Sequence, residues 1–175
     1  MFFLSCWYTL IVEMNIYITS GKGYGKTPLS AFDAALKGAG VYNYNLITLS
    51  SIIPPNTVIR MKKFRSTPAE YGNRLYVVKA EIRSRESGKY IGSALGWYQL
   101  ADGRGVFVEH EEIGETKEAI GANLREEIHK SLTDLCKFRR FPIIKKNMKM
   151  KISLVKVEDS PACALVIAVY KSEPW

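Results

Sequence analysis

The chain has few of the residues that usually bind structural metal ions or cross-link small domains. It contains three cysteines and two histidines among its 175 residues. Cys6, Cys136 and Cys163 form no Cys-x-x-Cys pair, and His110 and His129 form no His-x-x-x-His pair. We therefore expect neither a metal site nor a disulfide framework, and the isolated cysteines favour a reducing, cytoplasmic location.

The sequence also lacks an apolar run long enough to cross a bilayer as a helix. Residues 1–13, MFFLSCWYTLIVE, are mostly apolar, but a membrane-spanning helix needs about 20 such residues. They have no basic region before the run and no small-x-small cleavage site. We interpret them as an N-terminal extension, with Met14 opening the domain and an amphiphilic anchor as the alternative. No membrane partner is expected.

Acidic residues are outnumbered, with 17 Asp and Glu against 25 Lys and Arg, for a formal net charge of +8. Seven of the cations lie between Lys137 and Lys151 with aromatic and methionine residues interleaved, a composition found in nucleic-acid-binding surfaces. A solvated helix end followed by an edge strand with outward lysines has the same composition. We favour this second interpretation, and a basic nucleic-acid-binding module remains an alternative.

The remaining pattern predicts one globular α+β domain over residues 14–175. Hydrophobic residues make up 47% of the chain, enough for a sizeable core. Alternating apolar residues predict strands, and apolar residues three and four apart predict helices. The strands are 15–20, 45–53, 57–61, 74–83, 90–100, 105–113, 149–158 and 162–170, and the helices are 27–37 and 116–136. Helices segregated from mainly antiparallel strands indicate a layered sandwich.

A glycine-rich segment, Gly21 to Pro28, lies between the first strand and the first helix and resembles a phosphate-binding loop. That motif needs Gly-x-x-x-x-Gly-Lys-Thr so that successive N–H groups surround the phosphates. The spacing from Gly21 to Gly25 is one residue short, and Pro28 removes a donor from the first helical turn. We consider a degenerate phosphate-binding loop the least favoured alternative.

Asp33 stands beside the predicted inward stripe of the first helix, which consists of Leu29, Phe32 and Leu36. Carboxylates are rarely buried without a partner. Asp33 is therefore either a solvated flank residue or a carboxylate kept for a cation.

Two further segments carry candidate reactive groups. In Asn45–Pro55, strand-forming residues run into Ser50 and Ser51 and end at two prolines, which predicts either a plain buried strand end or a reactive pair of hydroxyls. Glu109 lies inside a predicted strand with its side chain on the same face as Phe107. Desolvation there would favour the protonated carboxyl, whereas an edge strand would leave it in water.

Three segments, residues 27–36, 45–55 and 106–111, together resemble the pyruvoyl-dependent arginine decarboxylases, and the similarity runs from about Met14 to Tyr170. The resemblance implies a four-layer α/β/β/α sandwich of mainly antiparallel sheets. It also implies a homotrimer or larger assembly with active sites between subunits, and conversion of L-arginine to agmatine and carbon dioxide. No nucleic-acid partner is expected on this interpretation.

The resemblance further implies self-processing at Ser50–Ser51. The Ser51 hydroxyl would attack the Ser50 carbonyl, and elimination and hydrolysis would leave a pyruvoyl group at the start of an α chain, residues 51–175. Residues 1–50 would form the β chain. The pyruvoyl ketone forms a Schiff base with the substrate amine and serves as the electron sink, so neither pyridoxal phosphate nor a metal is expected.

The same resemblance assigns roles to the other candidate residues. Glu109 matches the proton donor, Asp33 the acid that pairs with the substrate guanidinium, and Asn45 a pocket residue near the reactive carbonyl. His110 has no role in this scheme. The basic residues of segments 21–26 and 62–89 have no clear match, and we expect them to lie away from a pocket for a cationic substrate or to be paired.

Overall fold

The computed structural model describes residues 13–175, so the predicted extension lies outside the described residues except for Glu13. The strands and helices are β1 Met14–Tyr24, α1 Pro28–Ala39, β2 Asn45–Thr48, β3 Ile52–Ile53, β4 Thr57–Met61, β5 Arg74–Ser84, β6 Tyr90–Gln99, β7 Gly105–Gly114, α2 Lys117–Phe138, β8 Met148–Lys156 and β9 Ala162–Glu173. Neither helix has an apolar stretch long enough to cross a bilayer.

The strands form two sheets. The first has the order β2-β5-β9-β1-β4 and the second the order β3-β7-β6-β8. Pairing is antiparallel except for β1 with β4 and β2 with β5. Strand β9, which contains the apolar run ACALVIAVY, lies at the centre of the first sheet as its composition predicts.

The layers follow from what each helix covers. Helix α1 packs on β1, β9 and β5 of the first sheet, and α2 packs on β6, β7 and β8 of the second. The free faces of the two sheets pack against each other, with a core that includes Ile16, Trp97, Phe107 and Tyr170. The predicted four-layer α/β/β/α sandwich is therefore confirmed.

Helix α1 begins where predicted, with the Thr27 side chain capping the Ser30 N–H, but its buried face differs from the prediction. Leu29 is 69% exposed, and the buried positions include Ala31, Ala35 and Leu36. The predicted break after Ser20 is also wrong, because β1 continues to Tyr24.

Both corrections have one cause, which is a close approach of α1 to β1. A Cβ atom added at Gly21 would lie 1.9 Å from the Ala35 carbonyl oxygen, and one at Gly23 would lie 2.2 Å from the Ala31 carbonyl oxygen. Glycine on the strand and alanine on the helix are thus what the packing requires. The glycine-rich segment belongs to a strand and its packing seam, not to a phosphate-binding loop.

The basic segment Lys137–Lys151 spans the end of α2, a short 3₁₀ turn at Lys145–Asn147 and the start of β8. Six of its seven cations are exposed, and β8 is an edge strand. The interpretation as a solvated helix end and edge strand is confirmed.

Candidate active site

The candidate site lies where the chain crosses from the first sheet to the second. Strand β2 ends at Thr48, and β3 begins at Ile52 in the other sheet. The sequence predicts one strand running to the prolines, so that expectation is wrong. Ser50 and Ser51 lie in the crossing itself, outside both ladders.

Backbone hydrogen bonds hold the two ends of this crossing. The Leu49 N–H donates to the Val77 carbonyl at 2.8 Å, which ties the start to β5. The Phe107 N–H donates to the Ser51 carbonyl at 2.8 Å, which ties the end to β7. Between them Ser51 adopts φ +46°, a left-handed conformation that is unfavourable for a residue with a Cβ.

Glu109 meets the Ser51 side chain. The Ser51 Oγ donates a short hydrogen bond to Glu109 Oε1 across two elements of distant sequence position. Phe107, on the same face of β7, packs between the sheets, whereas Val106 and Val108 pack beneath α2. Glu109 therefore lies on the predicted face of its strand, and the structure brings Ser50, Ser51 and Glu109 together.

Tyr170, on β9 of the first sheet, contacts the end of this crossing. The sequence did not predict this contact. The Tyr170 hydroxyl donates to the Ile52 carbonyl at 2.9 Å, and its ring contacts Phe107 at a centroid distance of 6.3 Å. Burial, reinforced by the nearby Glu109 carboxylate, raises the pKa of Tyr170, so its O–H remains a donor. The sequence feature that could have indicated this role is the single tyrosine at the end of the otherwise aliphatic run of β9.

A cavity of about 430 Å³ opens onto the Ser50–Ser51 peptide. One wall is β7, and the other is formed by the last turns of α2, including Ser131, Asp134 and Phe138. His110 lies in the β7 wall and shares a 2.8 Å hydrogen bond with Ser131 Oγ through Nε2. Sequence reasoning assigned no role to His110 and did not identify the α2 wall.

Asp33 and Asn45 lie outside this cavity within one chain. Asp33 is exposed on α1, on the outer side of the first sheet. Asn45 is exposed at the start of β2, where its Nδ2 donates to the Gly72 carbonyl at 2.6 Å. A single chain therefore assembles the serine pair and Glu109 but not the two remaining candidate residues.

The described residues contain no group of three His, Cys, Asp or Glu side chains placed to hold a metal ion. The unmatched lysines of segments 21–26 and 62–89 do not line the cavity, as expected for a cationic substrate. One cation does line it, Arg139, whose Nη1 donates to the Leu135 carbonyl at 3.3 Å.

A strained serine whose hydroxyl is bonded to a carboxylate at the mouth of a cavity has the features of an enzyme site with an activated oxygen nucleophile. The family model for pyruvoyl-dependent arginine decarboxylases matches residues 15–174. The chain therefore belongs to the pyruvoyl-dependent arginine decarboxylase family.

Curated relatives agree with this assignment. The pyruvoyl-dependent arginine decarboxylase of Thermoplasma volcanium is 34% identical over 113 residues, covering 63% of this chain and 62% of that protein. The protein of the same description from Picrophilus torridus is 33% identical over the same shares. The one from Halobacterium salinarum is 35% identical over 95 residues, covering 54% of this chain and 59% of that protein. The matched region thus spans less than two thirds of each relative's length.

Neither the nucleic-acid-binding nor the phosphate-binding-loop alternative is supported by these matches.

Proposed function

We propose that this chain is the precursor of a decarboxylase that converts L-arginine to agmatine and carbon dioxide with a pyruvoyl group made from its own Ser51. The observation that carries the proposal is the hydrogen bond from Ser51 Oγ to Glu109 at the crossing between the sheets. Membership of the family supplies the reaction and the substrate.

Processing begins with the Ser51 hydroxyl. Glu109 accepts its proton as Oγ attacks the Ser50 carbonyl carbon, the C–N bond breaks, and the peptide becomes an ester with a free Ser51 amine. Loss of the Ser51 Cα proton then expels the Ser50 carboxylate together with Oγ. The dehydroalanine that remains takes up water and releases ammonia, which leaves a pyruvoyl group at residue 51.

The geometry of the precursor favours the first of these steps. The left-handed φ of Ser51 is a conformation that the surrounding hydrogen bonds impose at a cost of roughly 1–3 kcal/mol. Conversion of the peptide to an ester breaks the amide link between residues 50 and 51 and relieves that restraint. The proposed chains are 1–50 and 51–175, within a single domain from residue 14 onward.

The surroundings of residue 51 fit a pyruvoyl group after cleavage. The carbonyl of residue 51 accepts from the Phe107 N–H, so the adjacent ketone would remain fixed at the mouth of the cavity. When present, the pyruvoyl group supplies an electron sink for loss of the substrate carboxylate. Glu109 then faces the reacting carbon and delivers the proton that replaces the carboxylate.

Substrate recognition needs a second copy of the chain. Asp33 is exposed and forms no salt bridge with another described residue, so it is available to a guanidinium group, whose paired donors suit a carboxylate. Beyond Phe107, whose N–H donates to Ser51, the outer edge of β7 pairs with no other strand among the described residues. We infer a homotrimer in which Asp33 and Asn45 of one copy complete the cavity of its neighbour.

The first experiment is a denaturing gel with intact-mass analysis of the purified protein. We expect two fragments divided between Ser50 and Ser51, the larger with a blocked amino terminus. Ser51→Ala removes the attacking oxygen and should leave a single 19.8 kDa chain without activity. Ser50→Ala is the matched control, because only the Ser50 carbonyl takes part, and it should still be cleaved. An uncleaved wild-type chain after prolonged incubation would contradict the proposal.

The second experiment tests where Asp33 acts. Asp33→Ala should be cleaved normally but lose about 30- to 150-fold in kcat/KM for arginine, the equivalent of roughly 2–3 kcal/mol for a charge-assisted hydrogen bond. Coexpression of Asp33→Ala with Ser51→Ala chains should restore, at some sites, the wild-type kcat/KM that neither variant reaches alone. Mixed assemblies without activity would place Asp33 in the cavity of its own chain and remove the proposed role of the neighbour.

A further inference from the structure

Two adjoining cavities on the opposite edge of the sandwich share a basic lining. One has a volume of about 520 Å³, the other about 180 Å³, and both are lined by Lys62 and Lys63. Arg65 completes the larger cavity and Lys151 the smaller. We call this surface the basic cleft, and its other lining residues are Tyr17, Ile18, Thr19, Ser20, Met61 and Phe64.

The four cations of the basic cleft have no acidic counterpart among the described residues. No Asp or Glu lines either cavity. None of the four cations appears in a salt bridge, whereas cations elsewhere, such as Arg60 with Glu13, do. Residues 1–12 contain no acidic side chain that could serve. Mutual repulsion of four like charges in one concave surface is relieved by an anion that binds there.

The segment that carries three of these cations is held in place by packing. Phe64 packs against the core beneath α1 and contacts the rings of Tyr17 at 6.1 Å and Tyr44 at 6.0 Å. Its carbonyl approaches the left-handed cap at Gly40 so closely that a Cβ there would lie 2.2 Å from the oxygen. Lys62 Nζ in turn lies 4.8 Å from the centre of the Tyr17 ring. The cations are therefore arranged before any ligand arrives.

The basic cleft is separate from the Ser51 site. It is built from β1, the segment after β4, and β8, and β4 and β8 are edge strands. The Ser51 site lies between β2 and β3, which are the opposite edges of the same two sheets. A cation-rich surface is also unsuited to a cationic amino acid.

We propose that the basic cleft binds a small anion that carries at least two phosphate charges. Ammonium and guanidinium groups from different elements converge there, and Arg65 can pair two phosphate oxygens at once. Ser20 adds a hydroxyl to the same wall. The exposed parts of the Tyr17 and Phe64 rings, which are inclined at 57° to each other, offer apolar contacts to an organic group attached to the phosphates.

Isothermal titration with pyrophosphate tests this directly at constant ionic strength. We expect one site per chain in the wild type and at least tenfold weaker binding in Lys62→Ala/Lys63→Ala. The matched control is Lys145→Ala/Lys146→Ala, an exposed lysine pair outside the cleft, which should bind within twofold of the wild type. A parallel titration with ADP distinguishes the source of the phosphates, since tighter binding than pyrophosphate assigns an organic group to the aromatic surface.

Equal weakening in the two double variants, or binding of pyrophosphate no tighter than of sulfate, would overturn the proposal in favour of general attraction to a basic protein. Circular dichroism of the variants checks that a loss of binding is not a loss of folding. Because the gel assay for cleavage at Ser51 is independent of this titration, failure of the proposed decarboxylase leaves the anion-binding result interpretable, and the reverse also holds.

Discussion

Ser51 is subject to three constraints that come from two strands far away in the chain, β7 and β9. Its hydroxyl is bonded to Glu109, its carbonyl to the Phe107 N–H, and the next carbonyl along the chain to the Tyr170 hydroxyl. Together these hydrogen bonds hold a left-handed serine with its nucleophilic oxygen beside a proton acceptor. The reactivity proposed for this residue is thus a property of its surroundings rather than of a serine pair as such.

Glu109→Gln separates the two roles proposed for this carboxyl group. The amide oxygen can still accept the Ser51 hydrogen bond and orient the hydroxyl, but it neither takes nor supplies a proton. We expect cleavage to be slowed but completed, and turnover of the cleaved enzyme to fall by about 10²- to 10⁴-fold. The measurement is a gel time course beside single-turnover release of carbon dioxide.

The control for this prediction is Glu111→Gln, two residues along the same face of β7. Glu111 Oε1 accepts from the Glu81 N–H at 3.2 Å, and a glutamine can keep that bond. Cleavage and turnover should both remain close to wild type. Equal loss of cleavage and turnover in Glu109→Gln would contradict a separate role in protonation.

Tyr170→Phe tests whether the residue beneath the crossing positions Ser51. The variant leaves the Ile52 carbonyl without its buried donor, which costs about 1–3 kcal/mol locally. We expect cleavage to slow by roughly tenfold or more, because a looser Ile52 allows Ser51 to leave the conformation that aims its hydroxyl. Tyr98→Phe is matched in chemistry, since the Tyr98 hydroxyl donates to the Pro142 carbonyl, and neither residue lines the cavity at Ser51.

Both tyrosine variants should lose similar free energy of unfolding, but only Tyr170→Phe should process slowly. Slow cleavage in Tyr98→Phe as well would indicate a general effect of stability. A further distinction is the pH dependence, because a positioning role changes the rate of cleavage without changing the shape of its pH profile.

The sequence allowed the face of Glu109 to be predicted, because alternation along a strand fixes which side chains share a face. It did not allow the conformation of Ser51 or the contact of Tyr170 to be predicted. Both depend on residues more than 50 positions away in the chain. A pattern among neighbouring residues carries no information about contacts between such distant positions. In the proposed trimer, Asp33 reaches the site only from a second chain, which is a further step beyond local pattern.

At the scale of elements, the seam between β1 and α1 explains the glycine-rich segment. Gly21 and Gly23 let the strand backbone approach Ala31 and Ala35 on the helix. Local rules read glycines before Lys-Thr as a turn, since glycine is common there. Here the glycines are required by close packing instead of by a turn. The sequence shows this requirement only in the spacing of Ala31 and Ala35 on the helix, which matches the glycines on the strand.

Gly21→Ala should therefore destabilise the fold strongly. The added Cβ would lie 1.9 Å from the Ala35 carbonyl oxygen. To relieve this clash, either β1 or α1 must shift. We expect a loss of about 3 kcal/mol or more in the free energy of unfolding, measured by urea denaturation. A phosphate-binding loop in the same place would instead lose ligand binding with little loss of stability.

Gly38→Ala is the control, on the other side of the same seam. A Cβ there lies 3.4 Å from the Gly21 Cα atom, an ordinary contact, and alanine favours the helix by up to about 1 kcal/mol. The variant should be neutral or slightly stabilised. If the two substitutions had equal effects, the seam would not be the reason for the glycines.

At the scale of the whole molecule, the layer arrangement could be predicted but the strand order could not. Helices segregated from antiparallel strands indicate a layered sandwich, and the resemblance to the family implies a helix layer on each outer face. The parallel pairing of β4 with β1, by contrast, depends on the chain passing from the Ser51 crossing to the far edge of the first sheet. That path places the candidate active site and the basic cleft on opposite edges.

Two buried groups on strand β9, Cys163 and Tyr170, lead us to expect that the stability of the whole molecule falls in alkali. Burial raises the pKa of the Cys163 thiol from an ordinary value near 9 to about 12, Glu81 adds to the effect, and Arg83 and Lys79 oppose it. The pKa of Tyr170 is raised in the same direction.

Below pH 9 both groups are protonated in the folded and the unfolded chain, so their contribution to stability is fully present. Above pH 9 the unfolded thiol loses its proton first, so the free energy of unfolding falls by up to about 1.4 kcal/mol per pH unit from this group. Urea midpoints measured from pH 7 to 11 should fall with this slope, and Cys163→Ala should flatten it after correction for its own stability at pH 7. An identical slope in the variant would assign the alkaline loss to other groups.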